Sequence, residues 1–203
     1  MTRRLSMEAL LASPEEVRTL RRLLEAGGVA AIPTETFYAL AGNPNSEKAV
    51  ARIFEMKGRN SEKALPVLFS GREQLATLRI EDSAAWDRFF ALWPAPLTVI
   101  LPTTGPVACA GSDSSLAVRI PSRDDLRELL QETGPLTGTS ANPSGRPPLS
   151  DPNEIEIAFG RGDLDLLVDG GITPGVRPST LVDSRFDPPR VLRRGAFPWP
   201  ETG

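Results

Sequence analysis

At 203 residues, with no histidine, one cysteine and a formal net charge of −3, the chain has room for one sizeable core and for few of the usual catalytic devices. The missing imidazole removes the Ser-His and Cys-His nucleophile pairs and the commonest transition-metal ligand. Cys109 alone can form neither an intramolecular disulfide nor a cysteine zinc cluster. The slight negative charge gives no general attraction to nucleic acid, and no window carries the apolar run of a signal sequence or a membrane span. A single-domain cytoplasmic protein without membrane contact is therefore expected.

In chain order, "PEEVRTLRRLLEA" (14–26) sets Val17, Leu20, Leu23 and Leu24 on one face, behind a Ser13 cap and Pro14, and ends at Gly27-Gly28. That is an amphipathic helix with both its stop signals. "VAAI" then reads as a short apolar strand stopped by Pro33, and 46–56 return to helical spacing up to Gly58. A strand is expected at "LPVLFS", helices at "REQLATL" and "SAAWDRFFALW", and strands at "LTVILP" and "SLAVRIP". "RDDLRELLQET" predicts a helix beginning near Ser122, "PLTGTSANPSG" a strand running into a polar turn, and "PNEIEIAF" a further helix. Apolar runs at "LDLLVDG", "STLVD" and "RVLRRG" close the chain. Strands and helices alternate irregularly, which favours an α/β fold with a mixed sheet over regular βαβ winding.

Four regions put polar groups at strand ends. Thr34, Glu35 and Thr36, with Tyr38 behind them, follow the strand at Pro33; they could bind a small polar ligand or merely satisfy the backbone of a turn. Lys57, Arg59 and Lys63 surround a helix C-terminus, where cations either cap the dipole or converge on an anion. Thr139, Ser140, Asn142 and Ser144 offer hydroxyl and amide groups in a turn suited to phosphate oxygens or to a nucleobase edge, although no Walker sequence is present. Arg119 stands between apolar strand positions, so it is either exposed or meets a carboxylate or phosphate. Ser179, Thr180, Arg193 and Arg194 complete the set.

Taken in order, "PTETFYAL", "IFEMKGRNSEKALPVL", "LWPAPLTVILP", "AVRIP", "TSANPSG", "PSTLVD" and "VLRRGA" resemble the YrdC/TsaC family of threonylcarbamoyl-AMP synthases, over about residues 15–196. The resemblance implies a twisted mixed α/β sheet around a large concave cavity, in the short single-domain form. It also implies a nucleotidyltransferase that joins L-threonine, bicarbonate or CO₂ and ATP into threonylcarbamoyl-AMP and pyrophosphate. The product would pass to a transferase complex that modifies tRNA, and Mg²⁺ would arrive with ATP.

Carried over residue by residue, Thr34, Arg119 and Ser179 look like threonine-binding groups. Lys57 and Arg59 look like the catalytic clamp on the triphosphate, and Ser140, Asn142 and Arg193 look like the rest of the nucleotide site. Arg193 is preferred over Arg194, which stands where many members have proline. Ala39 and Ala95 replace family glycines, and Ala64 replaces a frequent proline. The alternatives are a non-catalytic RNA-binding module of the same fold, disfavoured by the acidic balance, and a carbamoyl-adenylate enzyme of hydrogenase maturation, disfavoured by the missing zinc cysteines. A purely structural protein would leave the polar strand ends unexplained.

Overall fold

In a computed structural model of the chain, residues 2–58, 64–160, 162–175 and 177–200 are described. The elements run β1 (Arg3–Ser6), α1 (Met7–Leu11), α2 (Pro14–Glu25), β2 (Ala30–Pro33), β3 (Tyr38–Ala41), α3 (Glu47–Lys57), β4 (Val67–Leu68), α4 (Asp87–Phe90), β5 (Leu97–Pro102) and β6 (Ser115–Arg119). They continue with α5 (Asp124–Thr133), β7 (Leu136–Thr137), β8 (Thr139–Ser140), α6 (Pro152–Phe159), β9 (Leu166–Asp169), β10 (Thr180–Asp183) and β11 (Arg190–Arg193).

The expected mixed sheet is present but divided in two: a five-stranded sheet ordered β1-β9-β2-β3-β8 and a six-stranded sheet ordered β11-β10-β5-β6-β4-β7. Only Gly138 separates β7, in one sheet, from β8, in the other. Thr137 Oγ1 fastens this corner by accepting from Gly42 N at 2.9 Å and donating to Leu40 O at 3.0 Å. A Cβ on Gly138 would lie 2.5 Å from Leu68 Cγ, so close approach rather than an unusual φ requires glycine here.

Each sheet face has its own apolar partner. α1, α2 and α5 cover one face of the five-stranded sheet, joining Leu10, Leu20 and Leu129 to Ala30, Ile32, Ala41 and Val168. The alternate residues Ala31, Leu40 and Leu167 turn to the other core, with Ile53 and Phe54 of α3 and with Val99, Leu116 and Val118 of the second sheet. The period of two along β2 and β3 thus sorts neighbouring side chains into two cores.

Two helix ends follow the expected signals: Ser13 Oγ accepts from Glu16 N, and Gly58 closes α3 in the left-handed region at φ 58°. Ser46, not singled out beforehand, caps the start of α3 by accepting from Ala49 N. Two local expectations are corrected, and two elements that were not expected are added. Residues 72–78 form two 3₁₀ turns, Arg72–Gln74 and Ala76–Leu78, and 84–90 form a 3₁₀ turn running into the four-residue α4. Such short stretches have little helical stability of their own, and burial of Leu75, Leu78 and Phe89 sets their shape. The polar "RRLS" forms edge strand β1, paired in parallel with β9, and Met7–Leu11 forms α1 capped by Ser6; neither carries a strand-like or long helical pattern.

At the end of β10, Asp183 is buried and accepts from Arg185 Nε at 2.9 Å and Nη2 at 2.8 Å, while Arg185 Nη1 reaches Asp113 at 2.7 Å. These hydrogen bonds hold the Asp183 carboxyl below its ordinary range. The stability it contributes is therefore complete above about pH 4 and is lost as pH falls through the lowered folded value. Asp183→Asn should lower stability by about 1–3 kcal/mol at pH 7, because Arg185 stays partly solvated. In urea melts the gap from wild type should shrink progressively on acidification below about pH 4.

Candidate active site

The two sheets and the turns at their strand ends enclose a cavity of about 430 Å³, a volume suited to a small-molecule ligand. Its wall is made by alternation. Along β6, Leu116 and Val118 enter the core while Ala117 and Arg119 face the cavity; along β5, Thr98 faces the cavity between the core residues Leu97 and Val99.

The β2–β3 hairpin carries the first polar group. Thr34 Oγ1 accepts from Thr36 N at 3.1 Å, lies 3.0 Å from Thr36 Oγ1 and donates to Phe37 O at 2.7 Å. Thr34 closes its own turn, and Thr34 and Thr36 also line the cavity. Pro33 pairs with Tyr38 across the hairpin, and the Tyr38 hydroxyl is tied to Gly170 N and Gly171 O at 3.1 and 2.9 Å.

Arg119 takes the second of its two expected environments. It is 5 % exposed, and its Nη1 lies 3.2 Å from Glu35 Oε1. Ser179 Oγ pairs with Thr98 Oγ1 at 2.8 Å, and the Ser179 carbonyl accepts from Arg193 Nε and Nη2 at 3.1 and 3.0 Å. Arg193 keeps solvent contact at the rim; packing of its guanidinium against the wall, and then the like charge of Arg119, lower its pKa below the ordinary arginine value. Arg194 turns instead to a separate surface depression beside Phe186 and Trp199.

Lys57 Nζ, buried at the end of α3, donates to Ser140 O at 2.5 Å, Asn142 O at 3.0 Å and Asn142 Oδ1 at 3.2 Å. Asn142 Nδ2 donates onward to Arg146 O at 2.6 Å, and Ser144 N donates to Lys57 O at 2.8 Å. Lys57 therefore holds the shape of the 140–146 turn whose Ser140 lines the cavity.

Thr34, Arg119, Ser140, Ser179 and Arg193 all line this one cavity, contributed by both sheets, and Lys57 and Asn142 stand directly beside Ser140. Arg59 lies outside the described residues. Thr98 and Thr139 also line the cavity; the available signal for Thr98 was a lone hydroxyl inside the apolar run "LTVILP". Ala39 is part of the wall and pairs with Ser140, whereas Ala95 packs into the core. Cys109 takes no part: burial pushes its thiol up to about 12.

Residues 22–195 match the Sua5/YciO/YrdC family model, described as telomere recombination. The chain belongs to this family. Among Sua5/YciO/YrdC relatives, the threonylcarbamoyl-AMP synthase of Pyrococcus abyssi is 33 % identical over 190 residues, 92 % of this chain and 56 % of its own length. That of Pseudomonas fluorescens is 34 % identical over 176 residues, 85 % of this chain and 95 % of its own. The chain thus spans little more than half of the archaeal relative and nearly all of the bacterial one. The crystal structure of P. abyssi Sua5 complexed with L-threonine superposes with a TM-score of 0.81 at 30 % identity, covering 96 % of this chain and 57 % of that one.

Lys57→Met should loosen the 140–146 turn by leaving two buried acceptors and one part-buried acceptor without this donor. A loss of about 2–4 kcal/mol is expected, read as a fall of roughly 5–15 °C in Tm by thermal unfolding.

Proposed function

We propose that the chain forms threonylcarbamoyl-AMP and pyrophosphate from L-threonine, bicarbonate or CO₂, and ATP, as a nucleotidyltransferase. The observation that carries this reading is the convergence of Arg119 and Arg193 with Thr34, Ser140 and Ser179, from both sheets, on one small-molecule cavity. Relatives named for this reaction, one of them crystallised with L-threonine, support it.

The chemistry asks for alignment and charge neutralisation more than for a strong base. The amino nitrogen of threonine adds to the carbon of CO₂, or of bicarbonate with loss of water, to give a carbamate. A carbamate oxygen then attacks the α-phosphorus of ATP, and the bond to the β-phosphate oxygen breaks as pyrophosphate leaves. Arg119 takes the amino acid carboxylate, with Ser179 and Thr34 beside it. Arg193 and the Ser140–Asn142 turn, shaped by Lys57, take the nucleotide, with Arg59 in the same clamp. This division needs no imidazole, consistent with a chain that has none.

The described wall supplies hydroxyl and guanidinium groups and no carboxylate, a donor set that suits Mg²⁺ brought on the triphosphate of the substrate rather than held by the protein. No helix among the described residues is long and apolar enough to cross a membrane. We place the reaction in the cytoplasm, with the labile adenylate passed to a transferase complex acting on tRNA. A non-catalytic RNA-binding role has no specific observation in its favour.

Pyrophosphate release by the purified chain should require L-threonine, bicarbonate and MgATP together, and should be abolished in Lys57→Ala. Release that ignores threonine, or near-normal turnover in that variant, would remove this reading.

A further inference from the structure

Glu35 is a carboxylate against the site arginine that the chemistry above leaves without a task, and its surroundings are unusual. Both its oxygens are buried without a hydrogen-bond donor, although Oε1 lies 3.2 Å from Arg119 Nη1, and Arg119 Nε is likewise buried without an acceptor. The pair is held by charge more than by hydrogen-bond geometry. Buried ion pairs with unfilled hydrogen-bonding capacity are costly to keep, and a fold that retains one at a ligand cavity invites a functional explanation.

The charges around it can be counted. Arg119 faces both Glu35 and the cavity, whereas Glu35 stands behind the cavity wall. The next cation, Arg123, is neutralised by Asp125 through hydrogen bonds of 2.7 and 2.8 Å, and Glu35 adds a weaker attraction to it. Arg193 is partly solvated and tied to the Ser179 carbonyl. The amino acid end of the cavity therefore presents an arginine whose charge is already cancelled from behind.

We propose that Glu35 is a specificity-determining residue, which makes the Arg119 end of the cavity select a zwitterionic amino acid over a bare anion of the same shape. An unbalanced buried arginine would draw any anion, including the bicarbonate and phosphates that the same cavity must handle elsewhere. With Glu35 in place, a lone carboxylate entering beside Arg119 makes two anions around one buried cation. An α-amino acid brings its own ammonium and keeps the group neutral. The selection works by penalising the wrong ligand rather than by adding a contact to the right one. It rests on the threonine reading given above.

The test is calorimetry on the full chain with L-threonine and with (R)-3-hydroxybutanoate, which is threonine without its amino group. Wild type should prefer threonine by at least about tenfold. Glu35→Gln, which keeps the shape and removes the charge, should narrow the preference to within about threefold, chiefly through tighter binding of the anion. Glu35→Asp should keep the wild-type preference. A purely structural role would weaken both ligands in parallel and leave their ratio unchanged in Glu35→Gln, which overturns the inference. If thermal melts show that Glu35→Gln does not fold, Glu35→Ala takes its place, and a wild-type protein that binds both ligands equally overturns the inference by itself. Wild type that binds no threonine sinks the proposed function together with this inference; threonine binding with an unmoved ratio sinks only the latter.

Discussion

The segment 136–140 passes from one sheet into the other, β7 to β8 across Gly138, and the cavity lies between the sheets it joins. Gly138 lets the backbone pass against Leu68, where a side chain would collide, so β7 pairs with β4 while β8 pairs with β3. The two sheets cannot slide apart at this corner without breaking both ladders and the hydrogen bonds of Thr137. Beyond β8 the chain enters the turn that Lys57 ties to the end of α3. One short segment thus fixes the angle between the sheets and delivers Ser140 to the wall.

Within that frame the polar wall is assembled from strand ends whose core-facing neighbours are fully apolar. Val118 is buried in the core, and the next residue, Arg119, is turned into the cavity. The same alternation separates Thr98 from Val99. The rigidity of the wall follows from the packing behind it, and its chemistry from the few positions where a polar residue falls on the cavity side. Charge is handled at two depths: Arg193 at the rim remains partly solvated, while Arg119 is buried and balanced by Glu35.

Much of this was legible beforehand. Ser13, Pro14 and Gly58 mark helix ends by local chemistry that survives in the fold, because capping groups act on backbone a few residues away. The ordered motifs named Thr34, Arg119, Ser140, Ser179 and Arg193, and all five line one cavity. Less legible were β1, α1 and the tight turns at 72–90. Their sequences carry weak periodicity, and their conformations are set by partners such as β9, more than 150 residues away.

What the sequence by itself determined was the set of helix ends, the apolar alternation and the residue types available to a site without histidine, all of them properties of neighbouring residues. Only the tertiary structure decided that the mixed sheet is two sheets, that Arg119 is buried against Glu35, and that Lys57 holds a turn whose residues lie more than eighty positions further along the chain. The physical reason is that burial and charge pairing depend on which distant segments share a space, and spacing along the chain does not encode that directly.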